Sequence, residues 1–334
     1  MKQLLSILLI TISTLVGHAQ LTTTTQDAVS LVQNILLGDE GITVSNITFQ
    51  GAPGALGRFE APNTNLGISS GIIMTTGTIS GNETGPIGPN NRKDTGMDNG
   101  TGGYPLLTSI VNRATFNASV LSFNFSTCSD SIEFRYVFAS EEYPEYVGSA
   151  FNDVFGFFIS GPGFNGQQNI ARLPNGSVVA INTVNNGNNQ PAPGQTIAPA
   201  TNPQHFVWNG NGTQPPYNLS DIYIQYDGFT KVLTAKAKVQ CNATYRLTLA
   251  IADVGDPIYD SGIFLEAKSF RANDPLKISY SLSNQLYESP NIMSEPCTEA
   301  TIRFERTPCN INTPITVQVQ AGGTAVNGVD YTNI

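Results

Sequence analysis

Two segments of this sequence, Ser140–Asp153 and Ala252–Glu266, concentrate acidic side chains and contain no basic residue, in a chain with only 12% charged residues. Calcium binds roughly six to eight oxygen ligands, including carboxylates, from flexible loops. Crowded carboxylates repel one another, and a divalent cation would relieve that repulsion. The pattern therefore predicts a calcium site. Its candidate ligands are Glu141, Glu142, Glu145, Asp153, Asp253, Asp256 and Asp260.

The same residues allow two other interpretations. Two carboxylates can act as acid and base, or as nucleophile, on a glycosidic bond. The weak catalytic candidates are Glu142 with Asp253, or with Asp256 in place of Asp253. The aromatic residues that could stack on sugar rings are Tyr143, Tyr146 and Tyr259. Acidic side chains also cap backbone N–H groups in turns, which would make the segments structural.

The scarcity of histidine and the negative net charge limit the other kinds of site that this chain can form. The two histidines are His18 and His205, and His18 falls in a predicted signal peptide. A multi-histidine metal site is therefore excluded, and a Ser-His-Asp triad would have to use His205. The net charge of −9 makes nucleic acid an unsuitable partner and favours cations or neutral glycans. Trp208, the only tryptophan, either packs in the fold or offers a sugar platform.

The N-terminus predicts export. Residues 1–19 combine a basic start at Lys2, an apolar stretch over Leu4–Val16 and small residues before Gln20, which is the pattern of a signal peptide. The apolar stretch is short of the ~20 residues that a membrane helix needs. We therefore expect a secreted or cell-surface protein with no transmembrane segment in the mature chain.

The four cysteines suit an oxidising exterior and form no CxxC motif. Cys128 and Cys241 each precede a strong strand, which would place both at one end of a sandwich. Cys297 and Cys309 flank a single short strand. We expect disulfides Cys128–Cys241 and Cys297–Cys309, although the sequence permits three pairings.

The elements that must position the acidic segments are predicted to be strands. Phe134–Phe138 and Val154–Ile159 flank the first segment and are rich in aromatic and β-branched residues. Tyr245–Ile251 precedes the second segment. Many short strands separated by glycine and proline predict a mainly β fold, an antiparallel β-sandwich or jelly roll with one N-terminal helix.

Further elements follow from residue periodicity. Gln26–Leu37 has helical spacing, with Thr25 as its expected N-cap. Ile222–Tyr226 is predicted to be a strand. Leu233–Val239 alternates between apolar and polar residues, and a short turn should join it to Tyr245–Ile251 as a hairpin.

The composition changes after a predicted linker at Ala272–Pro275. New strands are expected at Ile278–Leu282, Thr301–Glu305 and Ile315–Gln320. The organisation is thus predicted as a signal peptide (1–19), a β domain (20–271) and an incomplete second β domain (272–334), because too few strands follow the linker for a complete sandwich.

The blocks EFRYVFASEEYPEYVGSAFNDVFGFFISGPG and LAIADVGDPIYDSGIFLE resemble the choice-of-anchor L domain, over roughly residues 22–271. That family comprises secreted bacterial surface proteins, common in Bacteroidota. The resemblance implies a β-rich exported protein and names no substrate. It also leads us to expect an aspartate where this chain has Asn117. The tail, with TAVNGVDY, resembles the first half of a Calx-beta domain. This resemblance implies that residues 272–334 are an incomplete Ig-like β domain, with Glu288 and Asp330 as further calcium candidates.

We therefore expect a non-enzymatic binding or adhesion module, stabilised by calcium, whose partner is a glycan, extracellular matrix or another surface protein. One alternative is a glycan-active hydrolase or lyase that uses the paired carboxylates. The other is a structural stalk unit of a larger surface protein.

Overall fold

The computed structural model describes residues 20–38, 41–272, 277–282, 300–305, 316–318 and 328–329. The chain divides into two compact units, Met1–Asn273 and Asp274–Ile334. Several predicted features lie outside the described residues, namely the signal peptide, Glu288, Cys297, Cys309 and Asp330.

Strands dominate the first unit. They are β1 (Thr22–Thr25), β2 (Ile42–Gln50), β3 (Leu56–Glu60), β4 (Ser70–Thr75), β5 (Thr115–Thr127), β6 (Ser131–Ser140), β7 (Val154–Ser160), β8 (Gln168–Asn169), β9 (Val179–Ala180), β10 (Phe206–Trp208), β11 (Gly228–Thr230), β12 (Leu233–Lys238), β13 (Thr244–Val254), β14 (Ser261–Glu266) and β15 (Arg271–Ala272). The helical segments are α1 (Ala28–Ser30) with a following π-helix (Leu31–Leu36), α2 (Pro105–Val111) and 3₁₀ turns at Pro53–Ala55, Ile181–Thr183 and Pro203–His205.

The strands form two antiparallel sheets. The first has the order β1-β3-β4-β14-β6-β11-β10, and β12 and β15 also pair with β6. The second has the order β2-β5-β13-β7-β8, with β9 also paired to β7. The predicted mainly β, antiparallel sandwich is confirmed.

Aromatic side chains of the two sheets meet in the space between them. Phe134 and Tyr136 of β6 face Phe157 of β7, with ring centroids 5.5 and 5.1 Å from the Phe157 ring. Alternate residues of β6, Val137 and Ala139, point to the other face and belong to a second buried cluster. The C-terminal half of β6 is thus buried on both faces, which explains its nearly continuous apolar run.

Both acidic segments connect one sheet to the other. Ser140–Asp153 leads from β6 in the first sheet to β7 in the second, and the β13–β14 connection returns from the second sheet to the first. Both connections lie at the same end of the sandwich. The start of β7 pairs with the end of β13, and the start of β14 pairs with the end of β6.

Three predictions about local structure are wrong. The helix is capped by Asp27, whose Oδ1 accepts a hydrogen bond from Ser30 N at 2.9 Å, because Thr25 is paired in β1. Ile222–Tyr226 is no strand, since the Asn209 side-chain amide donates to carbonyls of this segment that a neighbouring strand would otherwise satisfy. β12 and β13 form no hairpin, because they belong to opposite sheets.

The predicted Cys128–Cys241 disulfide is also wrong, because Cys241 is an exposed free thiol. The two residues do lie in neighbouring connections at one end of the sandwich, where Asn242 N donates to Thr127 O at 2.7 Å. The side chain of Cys241 faces solvent there.

In the second unit, β16 (Lys277–Leu282) and β17 (Ala300–Glu305) pair antiparallel, with Lys277 opposite Glu305. Residues 316–318, within the third predicted strand, carry no strand assignment. In the described ranges of the chain, no helix is long and apolar enough to span a membrane.

Candidate functional site

Direct hydrogen bonds hold the two acidic segments together. Asp153 accepts from Val254 N through Oδ1 at 2.9 Å and from Ser261 Oγ through Oδ2 at 2.7 Å. Glu141 N donates to the backbone oxygen of Asp260 at 3.1 Å. Residues roughly a hundred positions apart in sequence are therefore neighbours at this end of the sandwich.

Most of the predicted ligands are buried in this contact region, which we call the acidic cluster. Each member is at most 3% exposed to solvent. Its members are Glu141, Glu142, Asp153, Asp253 and Asp260. Within the described residues none of them forms an ion pair with lysine or arginine. Buried carboxylates without a counterion are rare, because their desolvation is costly.

Burial raises the pKa of every carboxyl in the acidic cluster. Burial lifts the pKa of Asp153 to about 7, against the hydrogen bonds from Ser261 and Val254 that lower it. Burial, followed by the charge of Asp260, raises the pKa of Glu141, while Gln225 and the Thr95 backbone lie near enough to oppose that rise. The cluster therefore favours protons or another source of positive charge.

The remaining cluster members raise one another's pKa in the same way. Burial first, and then the charge of Asp153, raises the pKa of Glu142 and of Asp253. The pKa of Asp260 is raised by burial, against a lowering hydrogen bond from Met97. These groups are close enough that the ionisation of one disfavours that of the next.

In Asp253 and in Asp260, one carboxyl oxygen accepts a hydrogen bond and the other does not. Asp253 Oδ2 accepts from Asn117 Nδ2 at 3.0 Å, and Asp260 Oδ1 accepts from Met97 N at 3.1 Å. The other oxygens, Asp253 Oδ1 and Asp260 Oδ2, are buried without a hydrogen-bond partner among the described residues, as are both carboxyl oxygens of Glu141. These oxygens are acceptors without a donor and are therefore available to coordinate a cation.

Neutral oxygen atoms join the cluster. The amide oxygen of Asn117 is buried and unpartnered. Asn117 has a left-handed backbone (φ 50°) beside an irregularity in the β5–β13 pairing, where the register shifts between Ile251 and Asp253. This irregularity brings the Asn117 amide against Asp253 in place of the expected aspartate.

Three further residues of the site were missed by the sequence analysis. Asp227 is buried, and burial followed by the charge of Glu141 raises its pKa. Tyr226 has a buried, unpartnered hydroxyl, and burial followed by the charge of Asp260 raises its pKa. Gly77 leaves room for Asp260, since a Cβ there would overlap both carboxyl oxygens. The sequence signal that could have identified these residues is the Tyr226-Asp227 pair, which directly precedes β11.

Two predicted ligands lie outside the acidic cluster. Glu145 is half-buried and accepts from Asn211 Nδ2 at 2.8 Å. Asp256 is half-buried in the β13–β14 turn, where it accepts from Ile258 N at 3.2 Å. Glu266, at the far end of β14, pairs with Arg135 on the surface.

A cavity of about 390 Å³ adjoins the cluster, and we call it the acidic cavity. It is lined in part by Glu141, Glu145, Lys93 and the paired rings of Tyr146 and Tyr259, whose centroids are 5.6 Å apart. Glu141 is thus the cluster member that borders space open to a small ligand.

The carboxylates of the cluster do not converge in threes. Within the described part of the chain, no three histidine, cysteine, aspartate or glutamate side chains form a ready-made metal-binding group. A metal bound in this arrangement would take fewer than three carboxylates and complete its shell with neutral oxygens such as Asn117 Oδ1.

Comparisons with known proteins support one assignment. No curated protein and no solved structure matches the chain. The family model described as the Choice-of-anchor L domain matches residues 19–271, which include both sheets and the acidic cluster. The chain therefore belongs to the Choice-of-anchor L domain family and is a surface-associated or secreted protein.

Proposed function

We propose that this protein is a non-enzymatic binding or adhesion module, exported by its N-terminal signal peptide, in which calcium occupies the acidic cluster. Its partner is a glycan, extracellular matrix or another surface protein. We further propose that residues 272–334 belong to a Calx-beta-like domain, which the antiparallel pair β16–β17 supports.

The observation that carries the calcium proposal is the set of buried carboxyl oxygens that lack any donor. Leaving a buried polar group unpaired costs about 1–3 kcal/mol, and more for a charged one. The free oxygens of Glu141, Asp253 and Asp260 together make this end of the fold costly when ionised. Protonation or a cation offsets that cost, and the extracellular location makes calcium available.

The composition of the cluster favours calcium over other metals. It offers carboxylate and amide oxygens and no imidazole or thiolate, which suits hard cations. We propose Asp253 and Asp260 as carboxylate ligands and Asn117 as a neutral ligand, with Glu141 beside them at the edge of the acidic cavity. Asp153 has both oxygens bonded across the two segments and so positions the others.

The burial of the candidate catalytic pair weighs against the hydrolase or lyase alternative. Glu142 is 3% exposed and Asp253 is 1% exposed. A glycosidic oxygen must reach both carboxyl groups for acid–base chemistry. A polysaccharide could not contact Asp253 without displacing the segments that cover it.

Thermal unfolding in calcium and in chelator tests this proposal. At pH 8, calcium at about 100 times its Kd should stabilise the protein by about 3 kcal/mol and raise Tm by several degrees. Asp253→Asn should remove most of the calcium-dependent shift. Asp130→Asn, at an exposed turn at the other end of the sandwich, is the matched control and should keep it. An unchanged Tm of the wild type at saturating calcium would count against the proposal.

A further inference from the structure

We propose that a second cavity of this unit binds a neutral sugar residue of a glycan chain. This inference rests on the binding-module part of the proposed function and is independent of the calcium part. The cavity has a volume of about 230 Å³ and lies against Tyr143, Phe206 and Trp208. We call it the amide cavity. At ~30 Å³ per water molecule it holds seven or eight waters, about the room of one sugar ring.

One wall of the amide cavity is aromatic and held in place. The Tyr143 hydroxyl donates to Val184 O at 2.7 Å, and the Tyr143 and Phe206 ring centroids are 4.7 Å apart. Trp208 is half-buried, and its Nε1 donates to Pro215 O at 3.4 Å. Rings fixed before a ligand arrives lose little conformational entropy on binding. Such a wall suits the apolar face of a pyranose ring.

Primary amides provide the polar lining. No described residue forms a hydrogen bond with the side chains of the four free amides, which are Asn186, Asn189, Gln190 and Gln214. Each amide offers both donors and acceptors, which is the combination that hydroxyl groups require. By contrast, the Asn185 side chain is bonded within the protein, donating to Ile181 O and accepting from Gly187 N, both at 2.9 Å.

The lining excludes other classes of ligand. Among the residues that the structure describes, no charged side chain borders the amide cavity. A phosphate, carboxylate or ammonium group would lose hydration there without gaining a counterion. A purely apolar ligand would leave the four free amides without hydrogen bonds inside the contact. A neutral sugar, with an apolar face and a rim of hydroxyl groups, satisfies both walls.

The two cavities adjoin, because Gln190 and Gln214 line both. A glycan chain with one residue in the amide cavity can therefore extend into the acidic cavity, towards the rings of Tyr146 and Tyr259. This continuity favours a residue within a chain over a free monosaccharide.

Tryptophan fluorescence offers a direct readout, since Trp208 is the only tryptophan of the chain. The full chain would first be screened on an array of neutral, sialylated and sulfated glycans. The neutral oligosaccharide with the strongest signal would then be titrated in solution. We expect a saturable change in Trp208 emission, in calcium and in chelator alike.

Gln190→Ala removes one free amide without breaking any hydrogen bond of its side chain and should weaken binding about three- to tenfold. Gln204→Ala, at an exposed position outside the cavity, is the matched control and should bind like the wild type. Calorimetry on both variants measures the affinities, and Tm shows that they are folded.

Several outcomes would overturn the assignment. They are binding confined to charged glycans, no neutral binder on the array, or equal affinity of the Gln190→Ala and wild-type proteins. If sugar binding is absent but calcium still raises Tm, the sugar site is refuted and the calcium proposal stands. If sugar binds but calcium does not change Tm, the calcium proposal is refuted and the sugar site stands.

Discussion

Replacing Asp153 by asparagine should stabilise the calcium-free protein at alkaline pH. An asparagine can keep both hydrogen bonds of Asp153, because its oxygen accepts from Val254 N and its amide can donate to Ser261 Oγ. It removes only the buried charge. If the asparagine instead lost one of these two hydrogen bonds, the substitution would destabilise the protein.

The size of the effect follows from the pKa of Asp153, which burial raises from 3.8 to about 7. That shift corresponds to on the order of 4 kcal/mol. A carboxyl whose folded pKa is raised contributes stability that is fully present below pH 3.8 and is lost as pH rises towards 7 and above. Between pH 5 and pH 8 the wild type should therefore lose about 3 kcal/mol through this group.

Urea unfolding in calcium-free buffer at pH 5, 6, 7 and 8 measures this loss. The free energy of unfolding of Asp153→Asn, minus that of the wild type, should grow by about 3 kcal/mol over the range, with equal m-values. Asp130→Asn should show no such growth. A difference that stays constant with pH, or a variant less stable than wild type at pH 8, would refute the account of the buried charge.

Four other variants test separate features. Gly77→Ala should destabilise the protein by at least 1–3 kcal/mol in urea unfolding, because a Cβ there overlaps the Asp260 carboxyl. Tyr136→Phe should be neutral or slightly stabilising, since the Tyr136 hydroxyl is buried without a partner, whereas Tyr143→Phe should cost about 1–3 kcal/mol because that hydroxyl donates to a backbone carbonyl. Cys241→Ser should leave Tm unchanged without reductant, and thiol labelling should modify Cys241 in the native protein; a drop equivalent to 2–5 kcal/mol would indicate a disulfide.

The sequence predicted the strands well where side-chain patterning decides the outcome. In β12, Leu233, Ala235 and Ala237 are buried, and Lys236 and Lys238 are exposed, as the alternation indicates. Alternation fixes which face of a strand is buried and does not say which sheet it joins. The β12–β13 hairpin was therefore predicted for two strands that lie in opposite sheets.

The acidic segments could be found from composition, whereas the details of their arrangement could not. Strand ends flanked by carboxylates suggested that Asp153 and Asp253 would be close. The contributions of Asn117 and Gly77 depend on strand irregularities and backbone approach between distant segments, which residue types alone do not specify. Glu145 was included because it is near Glu142 in sequence, yet its partner is the Asn211 amide.

The pairs that build the acidic cluster are distant along the chain: Asp153 and Val254 are 101 positions apart, and Asn117 and Asp253 are 136 positions apart. A polypeptide still emerging from the ribosome cannot bring such partners together. Closure of this end of the sandwich must wait until residues beyond Ser261 have emerged. The acidic cluster therefore forms only after nearly the whole β domain has been synthesised, and a chain interrupted before Ser261 would present its carboxylates to water in an extended, protease-sensitive form.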